Sequence, residues 1–381
     1  MKAHRAHVTD LLALLIVSSL YAIASIGCQK EIGARNGLTT APLIRGTLWY
    51  IDHNQIRTIW QKEDFAREIQ YQIDIGFDLL WLLNTHTLMK EALTAEALGN
   101  THDVLEIIFQ IADENNMHVL VDLPKAGWYG KTEPEQMISL SKAHIRKFFE
   151  RYGSHPSFYG WYLNYEINPI CASEQDESRF WRQVWKTIVE ECHRVAPKTV
   201  VAISPFFLLD KEGLRGFRYL EPQEYEEWWS TTLAETKIDI LMLQDSGEHL
   251  RFFTLDQRKP FFTAFATACR RAGTQFWVNV ETGEEDVNNW GEYFTNIAKR
   301  QKPWDYWRFT PIDWLEQKLY LAASYAENIV NWGYYPFMTP DPLPGQELPG
   351  QQAAYQAYKA YFNRTVKSKK PPRLRFWLIG R

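Results

Sequence analysis

The sequence predicts a single (β/α)₈ barrel, the TIM-barrel fold, and three observations support this. From Leu43 onward, short runs rich in β-branched and aromatic residues alternate with longer segments of helical periodicity. There are eight such strand–helix units, and most successive strands begin about 35–40 residues apart, the length of one unit. A period near forty residues is also typical of propellers and α-solenoids. A propeller blade would need four strands and no helix, and an α-solenoid repeat would have no strand, so neither architecture fits.

The strands and helices are predicted from their local patterns. In 63–75, for example, Phe65, Ile69 and Ile73 fall on one helical face. The predicted strands are Ile44–Asp52, Phe77–Thr85, His118–Lys125, Phe158–Ile167, Thr199–Phe206, Ile238–Asp245, Gln275–Thr282 and Asn328–Phe337. The predicted helices are Glu63–Ile75, Val104–Asn116, Pro134–Tyr152, Glu174–Val195, Gln223–Thr236, Leu255–Arg271, Ile312–Ala326 and Gln351–Phe362.

The remaining segments lie at the two ends of the chain. No internal linker separates a second domain, so we expect one barrel over 42–363, with a basic tail at 364–381. Residues 1–27 are typical of a signal peptide, because Lys2 and Arg5 precede an apolar run, Leu11–Ile26, that is short for a membrane span.

The end of the apolar run resembles a bacterial lipobox. Gly27-Cys28 predicts cleavage before Cys28 and its lipidation, which would leave 28–41 as a short tether and anchor the exported protein to a membrane. A soluble secreted protein and an uncleaved anchor are the alternatives. Of the other cysteines, Cys171, Cys192 and Cys269, none has metal-type spacing. We expect buried thiols, with a Cys171–Cys192 disulfide as the alternative.

Composition limits the possible functions. Hydrophobic residues make up 45% and charged residues 23% of the 381, which excludes disorder and coiled coil as the main class. A net charge of −4 argues against nucleic-acid binding, which needs clustered Lys and Arg. Aromatic residues reach 15%, with 16 Trp, and indole faces suit flat, partly apolar ligands.

Two predicted strands end in the same motif. Active sites of such barrels lie at the C-terminal ends of the strands. Strand four ends in Asn164-Tyr-Glu166 and strand seven in Asn279-Val-Glu281, and alternation places each Asn and Glu on one face. Glycoside hydrolysis needs such a pair, one carboxylic acid to protonate the leaving oxygen and one carboxylate as nucleophile or base. We predict that Glu166 and Glu281 are catalytic.

These strands carry two resemblances. Retaining glycosidases of clan A place the acid/base on strand four and the nucleophile on strand seven, although their Asn directly precedes the first Glu. The segments 160–166, 239–245 and 277–281 resemble the bacterial family called domain of unknown function 4434, which is regarded as glycosidase-like. The resemblance covers most of 43–340. It implies a sugar-processing barrel in which Glu166 is the acid/base and Glu281 the nucleophile, about 5–5.5 Å apart.

The other strand ends supply residues for a sugar site. Strand-end positions also include Tyr50, Asn84 and Lys125, which we expect to help fill the pocket. Trp332 resembles the strand-eight Trp that floors the first subsite in clan A. We also expect the loop 283–311, which contains Trp290, Trp304, Tyr306 and Trp307, to wall the cleft. The predicted substrate-binding residues are Asn164, Asn279, Asp245, Gln244, Trp49, Asp122, Trp128, Tyr162 and Trp332.

Two alternative functions remain open. The chain lacks the Walker, dinucleotide-binding, zinc-protease and serine-hydrolase motifs, and we expect no cofactor, no metal and a monomer. The leading prediction is a retaining glycoside hydrolase acting on a carbohydrate. One alternative is a non-catalytic carbohydrate-binding lipoprotein. The other is a different barrel hydrolase or lyase that uses Asp122, Asp245 or His86.

Overall fold

A computed structural model describes residues 41–51, 53–97, 102–167, 174–245, 250–302 and 304–368. Eight parallel strands close into a barrel in the order β1-β8-β7-β6-β5-β4-β3-β2. This confirms the predicted (β/α)₈ fold. The strands are β1 Gly46–Tyr50, β2 Leu79–Leu83, β3 His118–Asp122, β4 Phe158–Leu163, β5 Val200–Ile203, β6 Ile240–Gln244, β7 Gln275–Glu281 and β8 Asn328–Trp332.

Helices surround the barrel. The eight predicted helices are all present, and three further helices, α1, α3 and α9, lie in connections that the sequence left as loops. The helices are α1 Asn54–Thr58, α2 Lys62–Ile73, α3 Thr85–Ala97, α4 Val104–Glu114, α5 Pro134–Tyr152, α6 Gln175–Val195, α7 Pro222–Thr236, α8 Leu255–Ala272, α9 Trp290–Lys299, α10 Ile312–Tyr325 and α11 Gln351–Ser368.

The last helix is longer than the sequence predicts, and the start of the chain lies outside the described residues. Helix α11 continues to Ser368, past the predicted start of the basic tail at residue 364. The predicted signal segment and Cys28 lie outside the described residues, and so does Cys171. Within the described chain, no helix is both long and apolar enough to span a membrane. Cys192 and Cys269 are buried free thiols, as expected, and the alternative Cys171–Cys192 disulfide involves a residue outside the described chain.

Alternation along the strands builds two apolar layers. Odd-numbered β4 residues such as Trp161 and Leu163 join the large core between barrel and helices. Even-numbered residues such as Tyr162 join a second core inside the barrel, with Trp81 of β2 and Trp277 of β7. The barrel interior below the C-terminal mouth is therefore filled with side chains.

One glycine sets the spacing of β4. A Cβ built on Gly160 would lie 2.2 Å from the carbonyl oxygen of Val200 on β5. Any side chain there would push these neighbouring strands apart. Gly160 therefore allows the close approach that fixes the strand leading to Asn164 and Glu166.

Candidate active site

A cavity of about 300 Å³ opens at the C-terminal ends of the barrel strands. It brings together both predicted catalytic glutamates and five of the predicted substrate-binding residues, together with side chains outside these two sets. Its lining consists of Leu48, Tyr50, Trp81, Leu83, Asn84, Lys125, Tyr162, Asn164, Glu166, Gln244, Asn279, Glu281 and Trp332.

The β4 end carries an exposed carboxylate. Tyr162, Asn164 and Glu166 line the cavity because alternation continues beyond the last residue of the strand. The Glu166 carboxyl is exposed, and the Gln244 amide Nε2 donates a hydrogen bond to its Oε1 at 3.2 Å. The same Nε2 lies 3.1 Å from the carbonyl oxygen of Ser204, which orients the amide. Glu166 therefore remains accessible to water.

Asn164 is positioned from behind by Asp122. The Asn164 amide Nδ2 donates to Asp122 Oδ2 at 3.2 Å. The Asp122 carboxylate also accepts from the backbone N–H groups of Asn84 at 3.0 Å and Thr85 at 2.9 Å. Burial raises the pKa of Asp122, and these hydrogen bonds oppose that shift. Asp122 is fully buried, which corrects its predicted contact with substrate: it ties β2 and β4 together.

The β7 end carries a buried carboxylate. Trp277, Asn279 and Glu281 share the inner face of the strand, and Asn279 and Glu281 line the cavity. Glu281 is only 1% exposed, in contrast to Glu166. Across the barrel sheet, Glu281 pairs in register with Trp332 of β8. The strand that carries this carboxylate is therefore fixed against β8.

An ionic cluster holds the backbone of Glu281. Its N–H donates to Asp245 Oδ1 at 2.9 Å, and its carbonyl oxygen accepts from Lys318 Nζ at 2.5 Å. Lys318 Nζ also lies 3.2 Å from Asp245 Oδ1. Arg258 donates to the Asp245 carbonyl oxygen at 2.8 Å. We call Asp245, Arg258 and Lys318 the β7 clamp, because Asp245 binds the backbone N–H of Glu281 and Lys318 binds its carbonyl oxygen.

The β7 clamp is buried, and its charges compensate one another. All three side chains are 2–3% exposed. Burial raises the pKa of Asp245. The positive charges of Lys318 and Arg258 oppose that shift, and the negative charge of Glu281 adds to it. Burial likewise lowers the pKa of Arg258, while Asp245 and Glu281 favour its charged form. Removing one partner would leave an uncompensated buried charge.

Aromatic side chains form the floor and one wall of the cavity. At the floor, Trp81 and Tyr162 meet edge to face with ring centroids 4.7 Å apart. Burial raises the pKa of Tyr162 well above its ordinary value, so its hydroxyl stays protonated. At the wall, Trp332 Nε1 donates to the Tyr50 hydroxyl at 3.1 Å. Such faces can stack on a sugar ring.

The loop after β7 supports this wall from behind. It forms a short antiparallel ladder between Gly283–Glu285 and Trp307–Phe309, with α9 between them. Trp304 and Trp307 pack against Trp332, with centroids 6.1 and 5.9 Å away. None of its described residues lines the cavity. The predicted wall is therefore indirect, because the loop buttresses Trp332.

Besides Asp122, three predicted substrate-binding residues lie outside the cavity lining. Trp49 is fully buried and packs against Phe65 and Tyr335 in the outer core. Asp245 points to the helices and belongs to the β7 clamp. Both are odd-numbered neighbours of inward-facing residues, and the alternation that placed Glu166 and Glu281 should have excluded them. Trp128 is 38% exposed but packs against Tyr165 and Trp181, outside the lining.

The cavity also contains six residues outside the predicted catalytic and substrate-binding sets. Tyr50, Asn84 and Lys125 come from strand ends, while Leu48, Trp81 and Leu83 complete the floor. Alternation along β1 and β2 could have identified Tyr50, Trp81 and Leu83, since they share faces with inner-core residues. Lys125 follows Pro124 in a loop, where no periodic pattern applies. Among the described residues, no group of His, Cys, Asp and Glu is arranged to hold a metal ion.

Fold and site together define a TIM barrel whose C-terminal cavity contains two carboxylates and is lined by aromatic side chains. The chain belongs to the family described as Domain of unknown function (DUF4434), which matches residues 44–343 and confirms the resemblance inferred from the motifs. Among curated protein sequences, none matches this chain.

Solved structures share the fold at low sequence identity. A candidate alpha-L-fucosidase from Bacteroides thetaiotaomicron has a TM-score of 0.63 at 19% identity, covering 85% of this chain and 94% of that one. A beta-galactosidase from Halorubrum lacusprofundi has a TM-score of 0.52 at 10% identity, covering 85% of this chain and 58% of that one. At these identities the similarities show that the chain shares the barrel fold of those proteins.

Proposed function

We propose that the chain is a retaining glycoside hydrolase in which Glu281 is the nucleophile and Glu166 the general acid/base. The observation that carries the proposal is the presence of both carboxylates, from the ends of β4 and β7, in the lining of one cavity. In retention, one carboxylate attacks the anomeric carbon while the other carboxylic acid protonates the leaving oxygen. Water then hydrolyses the glycosyl-enzyme with the second residue acting as base.

The surroundings of Glu281 suit a nucleophile. Attack requires the carboxylate oxygen to meet the anomeric carbon in a fixed position, and an error of about 1 Å can cost 10²-fold in rate. The β7 clamp binds both the N–H and the carbonyl oxygen of this residue. Its burial also excludes bulk water from the reacting oxygen.

The surroundings of Glu166 suit an acid/base. That residue must release a proton to the leaving group and recover one from water in every cycle. Its carboxyl is exposed, and a single amide, that of Gln244, contacts it among the described side chains. Exposure permits this proton exchange, which would be slower at a carboxylate buried like that of Glu281.

The neutral polar lining suits sugar hydroxyls. Asn164, Asn279 and Gln244 each offer an amide, and Tyr162 a protonated hydroxyl. Trp332 and Tyr50 offer ring faces beside these donors. We expect a sugar ring to stack on this wall with its hydroxyls directed at the amides.

Hydrolysis of defined glycosides tests the proposal. Purified protein is incubated with a panel of nitrophenyl α- and β-glycosides and with polysaccharides, and product anomers are followed by NMR. We expect turnover of at least one substrate with retained configuration, and carboxyl groups about 5–5.5 Å apart in a crystal structure. Inverted product, or a separation of roughly 6.5–9.5 Å, would contradict retention. Binding of a polysaccharide with no turnover would favour the carbohydrate-binding alternative.

We also propose that the protein is exported and lipidated at Cys28, on the basis of the apolar run that ends there. Replacing Cys28 by Ser should release the protein from membranes without changing its hydrolytic rate. Mass spectrometry that finds an uncleaved, unmodified N-terminus would contradict this.

A further inference from the structure

The cavity lining contains two acidic residues and one basic residue. Of the thirteen lining residues, Glu166 and Glu281 are acidic, and Lys125 is the one basic residue. The other side chains are aromatic, aliphatic or amide. A hydrolase of neutral sugars has no need of an ammonium group in this position, since amides and hydroxyls suffice to bind hydroxyls.

Lys125 is not neutralised within the described part of the chain. Its ammonium makes no ion pair within 4 Å and no hydrogen bond with any described residue, although both glutamates line the same cavity. By comparison, Lys318 and Lys359 each pair with an aspartate, at 3.2 and 2.7 Å. The positive charge of Lys125 is therefore available to a ligand.

The backbone that carries Lys125 is anchored beside the acid/base. The N–H of Ala126 donates to the Tyr165 hydroxyl at 3.0 Å. Tyr165 is 1% exposed and lies between Asn164 and Glu166 in sequence. The following Gly127 packs so closely on Thr132 that an added Cβ would lie 2.3 Å from its hydroxyl oxygen. The lysine side chain thus starts from a fixed point at the cavity rim.

We propose that Lys125 binds an anionic group on the sugar, so that the substrate class is an acidic saccharide, carrying either a uronic carboxylate or a sulfate ester. The proposal rests on the proposed function, in which a sugar occupies this cavity. An ammonium that meets a carboxylate or sulfate makes a charge-assisted hydrogen bond, roughly twice as strong as a neutral one. A lysine that only keeps its ammonium in water would leave substrate selectivity unchanged.

Matched glycosides test the selectivity. Nitrophenyl glucuronide and galacturonide, and 6-sulfated galactoside, are compared with the neutral glucoside and galactoside of the same anomer. We expect the wild-type protein to prefer an anionic member, and the arm that responds identifies carboxylate or sulfate. In Lys125→Met the ratio of anionic to neutral kcat/KM should fall about 10- to 100-fold, and Lys125→Arg should recover part of it.

Lys131→Met is the matched control. Lys131 is an exposed lysine of the same loop and is outside the cavity lining. Its replacement should change the ratio less than about twofold, because an exposed charge at a distance is screened by salt. Equal ratios in wild type and Lys125→Met, or a wild-type preference for neutral glycosides, would overturn the proposal while leaving the hydrolase assignment intact.

Direct binding separates this inference from the proposed function. Calorimetry with Glu281→Gln protein measures the affinity for oligogalacturonate, oligoglucuronate and a sulfated galactan oligosaccharide, with and without Lys125→Met. Binding that is lost with Lys125 supports the inference even if no glycoside is hydrolysed, in which case only the hydrolase proposal fails. Failure of all three anionic oligosaccharides to bind would overturn the inference.

Discussion

The two strand ends that carry the glutamates differ in how they are held. At β4, the Glu166 carboxyl is exposed and receives one hydrogen bond from the Gln244 side chain. At β7, Glu281 is 1% exposed, and the β7 clamp binds both polar atoms of its backbone. The same Asn-x-Glu motif therefore occurs in one open and one enclosed setting.

This difference shows how a barrel can divide acid/base and nucleophilic work between identical side chains. Environment, and not residue type, sets apart the roles of paired carboxyl groups. An enclosed, fixed carboxylate is suited to form a covalent bond, and an exposed one to exchange protons. The predictions below test whether the two ends differ in function as they do in structure.

The largest effect is expected at the enclosed end. Glu281→Gln should lower kcat at least about 10⁴-fold on every glycoside, whatever its leaving group, because no glycosyl-enzyme can form. Steady-state rates with nitrophenyl and unactivated substrates measure this. Near-normal activity on either kind of substrate would remove Glu281 from the nucleophile role and open the choice to another carboxylate.

The open end should respond to the leaving group. Glu166→Gln should lose about 10²- to 10⁴-fold on unactivated substrates, which need protonation. Nitrophenolate leaves without a proton, so that variant should form the intermediate and then stall. Azide needs no base to attack the anomeric carbon. It displaces the Glu281 carboxylate and should restore turnover, giving a glycosyl azide of retained configuration.

Rescue is the discriminating result for Glu166, and its matched control is Glu281→Gln under the same conditions. That variant forms no covalent intermediate, so any attack by azide would be a single displacement on the substrate and would give a glycosyl azide of inverted configuration. If azide gave a glycosyl azide of retained configuration with Glu281→Gln and not with Glu166→Gln, the two roles would have to be exchanged.

The β7 clamp should affect both stability and rate. Asp245→Asn removes the charge that neutralises Lys318 and Arg258, and breaking such a buried pair costs about 3–5 kcal/mol. It should also lower kcat about 10- to 100-fold with a smaller change in KM, because the backbone of Glu281 is less well fixed. Azide should not rescue it. A complete loss of activity in a stable Asp245→Asn protein would move the nucleophile to strand six.

A buried ion pair remote from the cavity separates rate from stability. Glu191 of α6 is 4% exposed and forms ion pairs with Arg146 and Arg194, each at 2.6 Å. The hydrogen bond from Arg194 is the main cause that lowers the pKa of Glu191 to about 2. Glu191→Gln should destabilise the protein with kcat unchanged. Because the folded pKa is depressed, this stabilisation is present above about pH 4.5 and is lost as the pH falls towards 2.

Among the cavity residues, the smallest effect on rate is expected from the single amide contact at the open end. Gln244→Ala removes the hydrogen bond to Glu166 and should lower kcat about 3- to 10-fold on unactivated substrates, in line with one neutral-to-charged hydrogen bond. Nitrophenyl glycosides should be less affected in the first step, since they need no protonation. An equal loss on both kinds of substrate, seen in pre-steady-state bursts, would show that Gln244 acts on the sugar and not through Glu166.

The fold was predictable because its signal repeats. All eight barrel strands lie within the predicted ranges, since each is bounded by a helix of different periodicity. Helix α3 was missed because its apolar stripe is weak and it begins directly after β2, at Thr85. The ladder after β7 was missed because its two strands have three residues each and pair across twenty-one others.

The site was predictable to the extent that alternation was applied. Glu166 and Glu281 lie in one cavity because each is an even number of residues from inner-core positions, Tyr162 and Trp277. Trp49 was assigned by residue type and not by position, and it faces the core. Asp122 faces inward but is covered by Asn84 and Asn164, and no sequence pattern shows such hydrogen bonding.

Trapping the covalent intermediate tests the central claim most directly. A nitrophenyl 2-deoxy-2-fluoro glycoside, matched to the substrate that the panel identifies, has a good leaving group, while its fluorine slows hydrolysis of the glycosyl-enzyme. Peptide mapping by mass spectrometry then locates the added sugar. The account predicts one fluorosugar esterified to Glu281. A label on Glu166 or Asp245, or hydrolysis of the natural anomer with inverted configuration and no label at all, would contradict it.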